Sequence, residues 1–210
     1  MDIKKTIENL EKNNMQVYFA DSKDDVIPML KKLIGENDTV AVGGSVTLNE
    51  LSVIDFLREN YNFLDRFNPE LSRDEVIEVF QKSFFADTFL MSSNAITENG
   101  ELYNVDGNGN RIAALTFGPK SVIVIAGINK IVKDIDEAVI RVKTVAAPKN
   151  CVRLSRDTYC AKTGKCVVPN GKIGTGCESK DRICSSFLVT GKQGNRDRIK
   201  VILVNEELGY

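Results

Sequence analysis

The chain has 210 residues, of which 42% are hydrophobic and 27% charged, enough to bury a core in one large domain. Its net charge is −1 and its pI about 5.7, so no global basic field exists to bind nucleic acid, and no nucleic-acid partner is expected. It contains no histidine, which excludes a Ser-His-Asp triad, an imidazole base and a zinc–histidine site. Residues 1–5 lack a signal-peptide pattern and the longest apolar run, 122–126, is too short to span a bilayer, so we expect a cytoplasmic protein without a membrane span.

Predicted helices and strands alternate along most of the chain. Helical spacing of apolar residues, with start signals such as Ser or Asp, predicts helices over 2–13, 22–33, 48–57, 72–85, a short stretch after 111, and 134–147. Short apolar and β-branched runs predict strands over 16–19, 39–42, 62–64, 87–91, 121–127, 186–189 and 199–204, with an irregular strand pair over 95–105.

The run over residues 121–127 is the clearest strand. It is continuous and mostly β-branched, with no polar alternation, which is typical of a parallel strand covered on both faces. Together with the alternation of elements, it predicts an α/β domain with a mostly parallel sheet. In the helix over 72–85, we expect four apolar residues to face inward: Val76, Ile77, Val79 and Phe80.

The segment over residues 151–184 is rich in Gly, Lys and Ser and poor in apolar residues. It is too polar to build its own core and needs a metal or the main domain to order it. We therefore divide the chain into an α/β core over 1–150, a cysteine-rich metal- or cluster-binding segment over 151–185, and closing strands of the core over 186–210.

All five cysteines lie in this last third of the chain. Four of them, Cys160, Cys166, Cys177 and Cys184, fall within a short stretch, and thiolates gathered this way can hold a 4Fe–4S cluster or a structural zinc. No pair has the CxxC spacing of a zinc ribbon, and a third interpretation is a set of thiols without metal. Cys151 is interpreted as an ordinary buried thiol. A reducing cytoplasm makes structural disulfides unexpected.

Two glycines and small hydroxyl residues follow the strand over 39–42. Glycine lets the backbone approach a ligand, and a helix N-terminus offers free N–H groups to an anion. Gly43, Gly44, Ser45 and Thr47 are therefore candidates for binding a small anion. The alternative is a tight strand–helix turn in which Ser45 or Thr47 caps the helix.

A second polar run follows the strand over 87–91, at the position where open α/β sheets bind ligands. In it, Glu98 is the carboxylate best placed to act as nucleophile or general base, with Asn99 as a ligand-binding candidate beside it. The alternative is a hairpin turn at Asn99-Gly100 with a solvated glutamate.

A glycine-rich loop precedes Arg111, whose planar guanidinium can bind a phosphate or a carboxylate. Gly109 and Asn110 are candidates for the same site. The alternative is a flexible loop with a surface arginine.

Taken together, these motifs resemble the LUD domain (lactate utilisation) family, whose members include LutC and YkgG. The resemblance covers nearly the whole chain. It is carried by the stretches 43–48, 86–87, 92–100, 106–111, 118–119 and 125–130. Stand-alone members with a C-terminal cysteine segment look similar over 160–166 and 181–184, with 167–176 behaving as an insertion between the second and third cysteines.

The resemblance implies a Rossmann-like, mostly parallel sheet of the NagB/RpiA/CoA-transferase type. It also implies a link to the oxidation of lactate to pyruvate, alongside iron–sulfur partner proteins. In CoA transferases of that superfamily a glutamate before Asn-Gly forms an acyl intermediate, and Glu98 stands in a similar motif.

We expect a redox accessory protein that binds a 4Fe–4S cluster through its four clustered cysteines. A small carboxylate or a phosphorylated metabolite would bind at the Gly-Gly-Ser turn. The alternatives are an acyl-CoA-handling enzyme that uses Glu98, and a non-catalytic metabolite-binding domain with a structural zinc. A homo-oligomer is compatible with each of these.

Overall fold

Ten strands form two sheets in this protein, for which the computed structural model describes residues 1–210. In chain order they are β1 (Gln16–Ala20), β2 (Thr39–Val42), β3 (Asn62–Phe63), β4 (Thr88–Met91), β5 (Ala95–Thr97), β6 (Leu102–Asp106), β7 (Ser121–Gly127), β8 (Ile131–Val132), β9 (Ser186–Thr190) and β10 (Ile199–Val204).

The main sheet has six strands in the order β1-β10-β7-β4-β2-β3, and every neighbouring pair is parallel. Its central strand β7 is buried from Val122 to its end, which explains why its sequence shows no polar alternation. The predicted α/β class with a mostly parallel sheet is confirmed.

Nine α-helices surround the sheets. They are α1 (Ile3–Lys12), α2 (Val26–Leu33), α3 (Val46–Glu50), α4 (Val53–Asn60), α5 (Arg73–Lys82), α6 (Asn110–Thr116), α7 (Ile135–Arg141), α8 (Ala147–Arg153) and α9 (Tyr159–Thr163). Short 3-10 turns cover 23–25, 83–85 and 128–130, and a π-helical turn covers 142–146. None of these helices combines the length and hydropathy needed to cross a bilayer.

The main sheet carries a hydrophobic core on each face, because successive side chains of a strand point to opposite sides. Ile123 and Ile125 of β7 pack with residues of α2, α3 and α4 on one face. Val122 and Val124 pack with residues of α1 and α6 on the other. The helices are thereby fixed on both sides of the sheet, and its carboxyl edge is left to loops.

The second sheet has the order β8-β5-β6-β9 and is mixed. β5 and β6 form an antiparallel hairpin, β9 pairs antiparallel with β6, and β8 pairs parallel with β5. Tyr103 and Ala95 of this sheet pack against Ala138 and Val139 of α7 in a small third core. The two strands after the cysteine segment therefore enter different sheets.

Three details of the predicted elements are wrong. The helix expected over 48–57 is two helices, because Ser52 adopts a left-handed conformation (φ 53°) between α3 and α4. Ile77 does not face inward but is 44% exposed, and α5 buries none of its residues. The helix expected to end near Ala147 continues to Arg153, because Pro148 lies in the first turn of α8, where a missing N–H is tolerated.

Candidate functional site

A cavity of about 180 Å3 opens at the carboxyl edge of the main sheet, and we call it the cationic cavity. Thr47 follows β2, Ser92 follows β4 and Lys130 follows β7, and all three line it. Loops that leave adjacent parallel strands meet at this edge, which is where open α/β sheets bind ligands.

The charge of this cavity is strongly one-sided. Its lining includes five cationic side chains and a single carboxylate, that of Asp106. The five cations are Arg66, Arg111, Lys130, Arg153 and Arg156. Asp106 is engaged by an ion pair with Arg111 (2.6 Å), so four cations remain without a carboxylate partner.

Arg111 lines the cavity but has no free donor for a ligand. Its Nε donates to Asp106 (2.9 Å), its Nη1 to the Ser92 carbonyl (3.0 Å) and to Asn104, and its Nη2 to Asn94 (2.8 Å) and the Val105 carbonyl (3.0 Å). All five N–H groups are thus used inside the protein. Arg111 therefore fixes the loop after β4 against the end of β6.

Gly43 makes this arrangement possible. A Cβ atom at that position would lie 2.9 Å from Cγ and Cδ of Arg111, closer than side-chain carbons tolerate. Gly109 precedes α6 with a left-handed conformation (φ 81°) that favours glycine. Of the predicted ligand-binding glycines, Gly43 and Gly109 do not line the cavity.

Lys130 is the most deeply buried cation of the cavity, with 3% of its surface exposed. Its Nζ donates to the hydroxyl oxygens of Thr47 (2.8 Å) and Ser92 (2.9 Å), and it belongs to no ion pair. Burial, helped by the positive charges of Arg141 and Arg111, lowers the pKa of Lys130 to about 7. A sizeable fraction of its amine is therefore neutral near neutral pH.

Arg66 provides a further cation, which is half-buried. Its guanidinium carbon lies 4.3 Å from the centre of the Phe80 ring and 5.3 Å from that of Phe67. Its Nε is buried without a hydrogen-bond partner, and burial together with the charge of Arg153 lowers its pKa. A buried charged donor without a partner destabilises the folded state unless a ligand or a water accepts its hydrogen bond.

The two other cations of the cavity lining, Arg153 and Arg156, are exposed. Arg153 donates to Asn150 (2.8 Å) and to the hydroxyl of Tyr210 (3.0 Å), whereas the exposed side chain of Arg156 makes no hydrogen bond. Of the predicted residues, Gly44, Ser45, Thr47, Asn110 and Arg111 line this cavity. Ser45 also caps α3, since its hydroxyl accepts a hydrogen bond from the Leu48 N–H (3.3 Å).

Glu98 and Asn99 lie elsewhere, in the turn between β5 and β6. Glu98 Oε1 accepts from the Asp2 N–H (3.0 Å) and Oε2 from Lys5 Nζ (3.2 Å), and the Lys5 hydrogen bond holds the pKa of Glu98 below its usual value. Gly100 in this turn has φ 79°, and a Cβ there would overlap the backbone of Asn9. The structure thus places Glu98 against α1 and outside the cationic cavity, and its catalytic role stays a prediction.

Lys130 and Arg66 are site residues that we did not predict from the sequence, whereas Ser92 and Asn94 belong to the predicted polar run after β4 but are not among its named candidates. Lys130 and Ser92 each follow the carboxyl end of a buried strand, and that position is a signal that sequence reasoning can use. Arg66 lies in a loop after β3 and has no such signal, because only the fold brings it to the cavity.

All five cysteines line a second, smaller cavity of about 30 Å3, which we call the cysteine cavity. Cys151, interpreted as an ordinary thiol, is here with Cys160, Cys166, Cys177 and Cys184. Cys184 lines both cavities, so it lies in the wall between them.

Two cations hold the segment around the cysteine cavity in place. Lys143 Nζ donates to the carbonyls of Lys172 (3.0 Å) and Thr175 (2.9 Å), and Arg182 donates to the carbonyls of Cys177 (3.2 Å) and Cys184 (2.8 Å). These hydrogen bonds to backbone oxygens order a stretch that has few apolar residues of its own.

The donors of the cysteine cavity fit a thiophilic metal in type and number, since soft thiolates select zinc and iron–sulfur clusters. No three acidic or cysteine side chains are positioned to hold a metal ion as they stand. Residues can line one cavity without being close enough to share a metal, because one zinc ion needs all its sulfur ligands at about 2.3 Å. Burial raises the pKa of Cys184 to about 12 and that of Cys151 to about 11, so a metal would have to displace the proton of either thiol.

Comparison with solved structures bears on the fold. A DUF162 family protein from Deinococcus radiodurans is similar over 95% of this chain and 94% of its own, with 18% identity and a TM-score of 0.52. Weaker likenesses, each over about half of this chain, are to eIF2B beta from Chaetomium thermophilum and to ribose 5-phosphate isomerase from Plasmodium falciparum. The first has 15% identity, a TM-score of 0.37 and coverage of 54% of this chain and 43% of its own. The second has 14% identity, a TM-score of 0.32 and coverage of 53% and 52%.

No curated protein sequence matches the chain. One family model does, that of the LUD domain, and it spans residues 3–204. This span includes both sheets, every cysteine and all residues that line the cationic cavity except Tyr210. The agreement of the sequence match with the fold of the DUF162 protein means that this chain belongs to the LUD domain family.

Proposed function

We propose that this protein binds a small organic carboxylate, of the 2-hydroxy or 2-oxo acid class, in the cationic cavity. In this proposal it serves lactate utilisation as a redox accessory protein. The observation that carries the proposal is the set of cations in the cavity wall without a carboxylate partner, above all Arg66 and Lys130. Membership of the LUD domain family supports the link to lactate.

The chemistry of the cavity suits such a ligand. A carboxylate would pair with the half-buried Arg66, where an ion pair is stronger than at the surface, and with the exposed Arg156. The ligand's second oxygen, hydroxyl or carbonyl, would meet the hydroxyls of Ser45, Thr47 or Ser92. A phosphorylated metabolite shares the negative charge and is the competing ligand class.

The cysteine cavity supplies the redox part of the proposal. Cys160, Cys166, Cys177 and Cys184 would hold a 4Fe–4S cluster, which when bound supplies one-electron transfer. The position of Cys184 in the wall shared by the two cavities supports a link between that group and the anionic ligand. Iron–sulfur partner proteins would then exchange electrons with it. Zinc in the same place would make the segment a structural element.

Ligand binding can be tested by calorimetry and by thermal unfolding with lactate, pyruvate and inorganic phosphate. A ligand at one hundred times its Kd stabilises the folded state by about 2.7 kcal/mol, a clear shift of the unfolding temperature. We expect lactate and pyruvate to bind more tightly than phosphate. Tighter binding of phosphate would move the ligand to the phosphorylated class, and no binding of any of the three would contradict the proposal.

Variants tie the binding to the cavity. Arg66→Met keeps the apolar contact with Phe80, and Arg156→Met changes an exposed side chain, so both remove a charge from the cavity with little loss of packing. Arg73→Met is the matched control, because Arg73 is exposed at the start of α5 and does not line the cavity. The two cavity variants should weaken carboxylate binding about ten-fold or more, whereas the control should not change it.

The metal is tested separately. Iron, acid-labile sulfide and zinc are measured in protein purified without oxygen, together with its visible spectrum. Iron with matching sulfide supports the redox proposal, and its loss in Cys184→Ser would assign the ligand. Zinc alone, or no metal, would reject the redox role and leave the anion-binding proposal untouched.

A further inference from the structure

We propose that Lys130 is a covalent nucleophile whose Nζ forms an imine with the carbonyl carbon of a 2-oxo acid in the cationic cavity. This inference rests on the proposed carboxylate binding and goes further, because it names a reaction and a residue. A 2-hydroxy acid, which has no carbonyl beside its carboxylate, would bind at the same place without reacting.

The geometry around Lys130 is unlike that of a structural lysine. A buried lysine that only balances charge faces a carboxylate, whereas Nζ of Lys130 contacts the hydroxyls of Thr47 (2.8 Å) and Ser92 (2.9 Å). The one carboxylate of the cavity lining, that of Asp106, is paired with Arg111. The amine is therefore held at the cavity wall by neutral groups.

The electrostatic surroundings favour a neutral amine. Arg111 and Arg141 raise the cost of a positive charge on Lys130 beyond the effect of burial, and Glu50 opposes them only weakly. The resulting pKa of about 7 makes free amine available near neutral pH, and only the free amine is nucleophilic. Desolvation beside other cations is a recognised way to activate a lysine that reacts with carbonyl compounds.

The reaction balances without any further reactant. The Nζ lone pair forms a bond to the carbonyl carbon, and the carbonyl electron pair moves to oxygen, which takes up a proton while the nitrogen loses one. The carbinolamine then loses its hydroxyl with a proton as water, and the nitrogen lone pair completes the C=N bond. Amine and ketone thus give imine and water, with no change of oxidation state. The hydroxyls of Thr47 and Ser92 lie within hydrogen-bond distance of Nζ and can pass the protons.

The experiment is reductive trapping. Wild-type protein is incubated with pyruvate, treated with borohydride and analysed by intact mass and peptide mapping, since reduction turns an imine into a stable amine. We expect one adduct per chain, located at Lys130, which Lys130→Arg abolishes. Lys4→Arg, which changes an exposed lysine of α1, is the matched control and should retain the adduct.

A second measurement needs no variant. Saturating lactate should suppress trapping by pyruvate in the wild type, because it occupies the cavity and forms no imine. Trapping should also rise as pH increases through about 7, far below the value of about 10.4 for an ordinary lysine.

The outcomes separate this inference from the function on which it rests. Calorimetric binding of pyruvate without an adduct at Lys130 overturns the inference and leaves the proposed function in place. Adducts spread over exposed lysines and unaffected by lactate overturn it in the same way. Absence of both binding and adduct overturns the inference together with the proposed function.

Discussion

The cationic cavity and the cysteine cavity share the wall at Cys184, yet the chain builds them by different means. The first is formed by loops that leave β2, β4 and β7, so rigid strands and the hydrogen bonds of Arg111 fix its shape. The second is formed by a polar segment ordered by cations on backbone carbonyls. The comparison teaches that unpaired cations favour an anion in the first cavity by themselves, whereas the thiols of the second are compatible with a cluster, with zinc or with no metal.

We expect the largest effect on the cationic cavity from removing Arg111, whose hydrogen bonds fix its shape. Arg111→Met leaves Asp106 buried without its ionic partner, so we expect a loss of about 3 kcal/mol in the free energy of unfolding. Carboxylate binding should disappear as well, because the loop after β4 loses its anchor. Urea unfolding and calorimetry measure the two effects. Stability equal to that of Arg73→Met would contradict the organising role of Arg111.

Lys143→Met is the corresponding change in the second region. It removes the amine that donates hydrogen bonds to the carbonyls of Lys172 and Thr175. We therefore expect the free energy of local unfolding of this segment to fall by about 2 kcal/mol. Limited proteolysis should then cleave within residues 167–176 faster than in the wild type. Carboxylate binding should persist. A variant that loses both properties together would show that the two cavities do not order independently.

Lys130→Met tests the cost of the buried amine. The unfolded chain binds its proton up to a pH of about 10.4 and the folded chain only up to about 7, so wild-type stability rises with pH across that window. At a pH of about 6 the variant should be more stable by roughly 2 kcal/mol, after the loss of two hydrogen bonds is counted. The advantage should vanish by a pH of about 10. Urea unfolding at both pH values checks the sign, and a pH-independent difference would contradict it.

Glu98→Gln should have the smallest effect. The folded pKa of Glu98 is lowered by Lys5, so its contribution is present above the ordinary value of about 4.3 and is lost as pH falls through the lowered value. We expect a slight loss of stability near neutral pH that disappears in acid, with carboxylate binding unchanged. Loss of binding in this variant would return Glu98 to the candidate site.

The sequence predicts the elements with strong local signals and misses those that depend on distant residues. The structures of β7 and of the Gly-Gly-Ser turn after β2 are determined by the residues within them. Both lie where we expected them. The break at Ser52 comes from a left-handed backbone conformation, which serine seldom adopts. Nothing near it in sequence marks it.

The candidate site shows the same division. Ser45 and Thr47 are recognisable because glycines and a helix start surround them. Arg111 is recognisable as important, but the acceptors of its hydrogen bonds lie in the loop after β4 and in strand β6, and its neighbours in sequence do not reveal them. Arg66 and Cys151 reach their cavities only through tertiary packing. Sequence reasoning therefore finds the edge of the sheet at which we propose a ligand site, and the structure decides which side chains line the cavity there.

The order of strands in the main sheet also sets an order of events during synthesis. β1 pairs only with β10, and β10 lies between β1 and β7. β1 therefore has no hydrogen-bonding partner in this sheet until β10, which lies far along the sequence, has been made. The middle strands β2, β4 and β7 can assemble earlier, because their partners lie closer in sequence. β1 must stay unpaired during that time, so its pairing with β10 is a late step in completing the sheet.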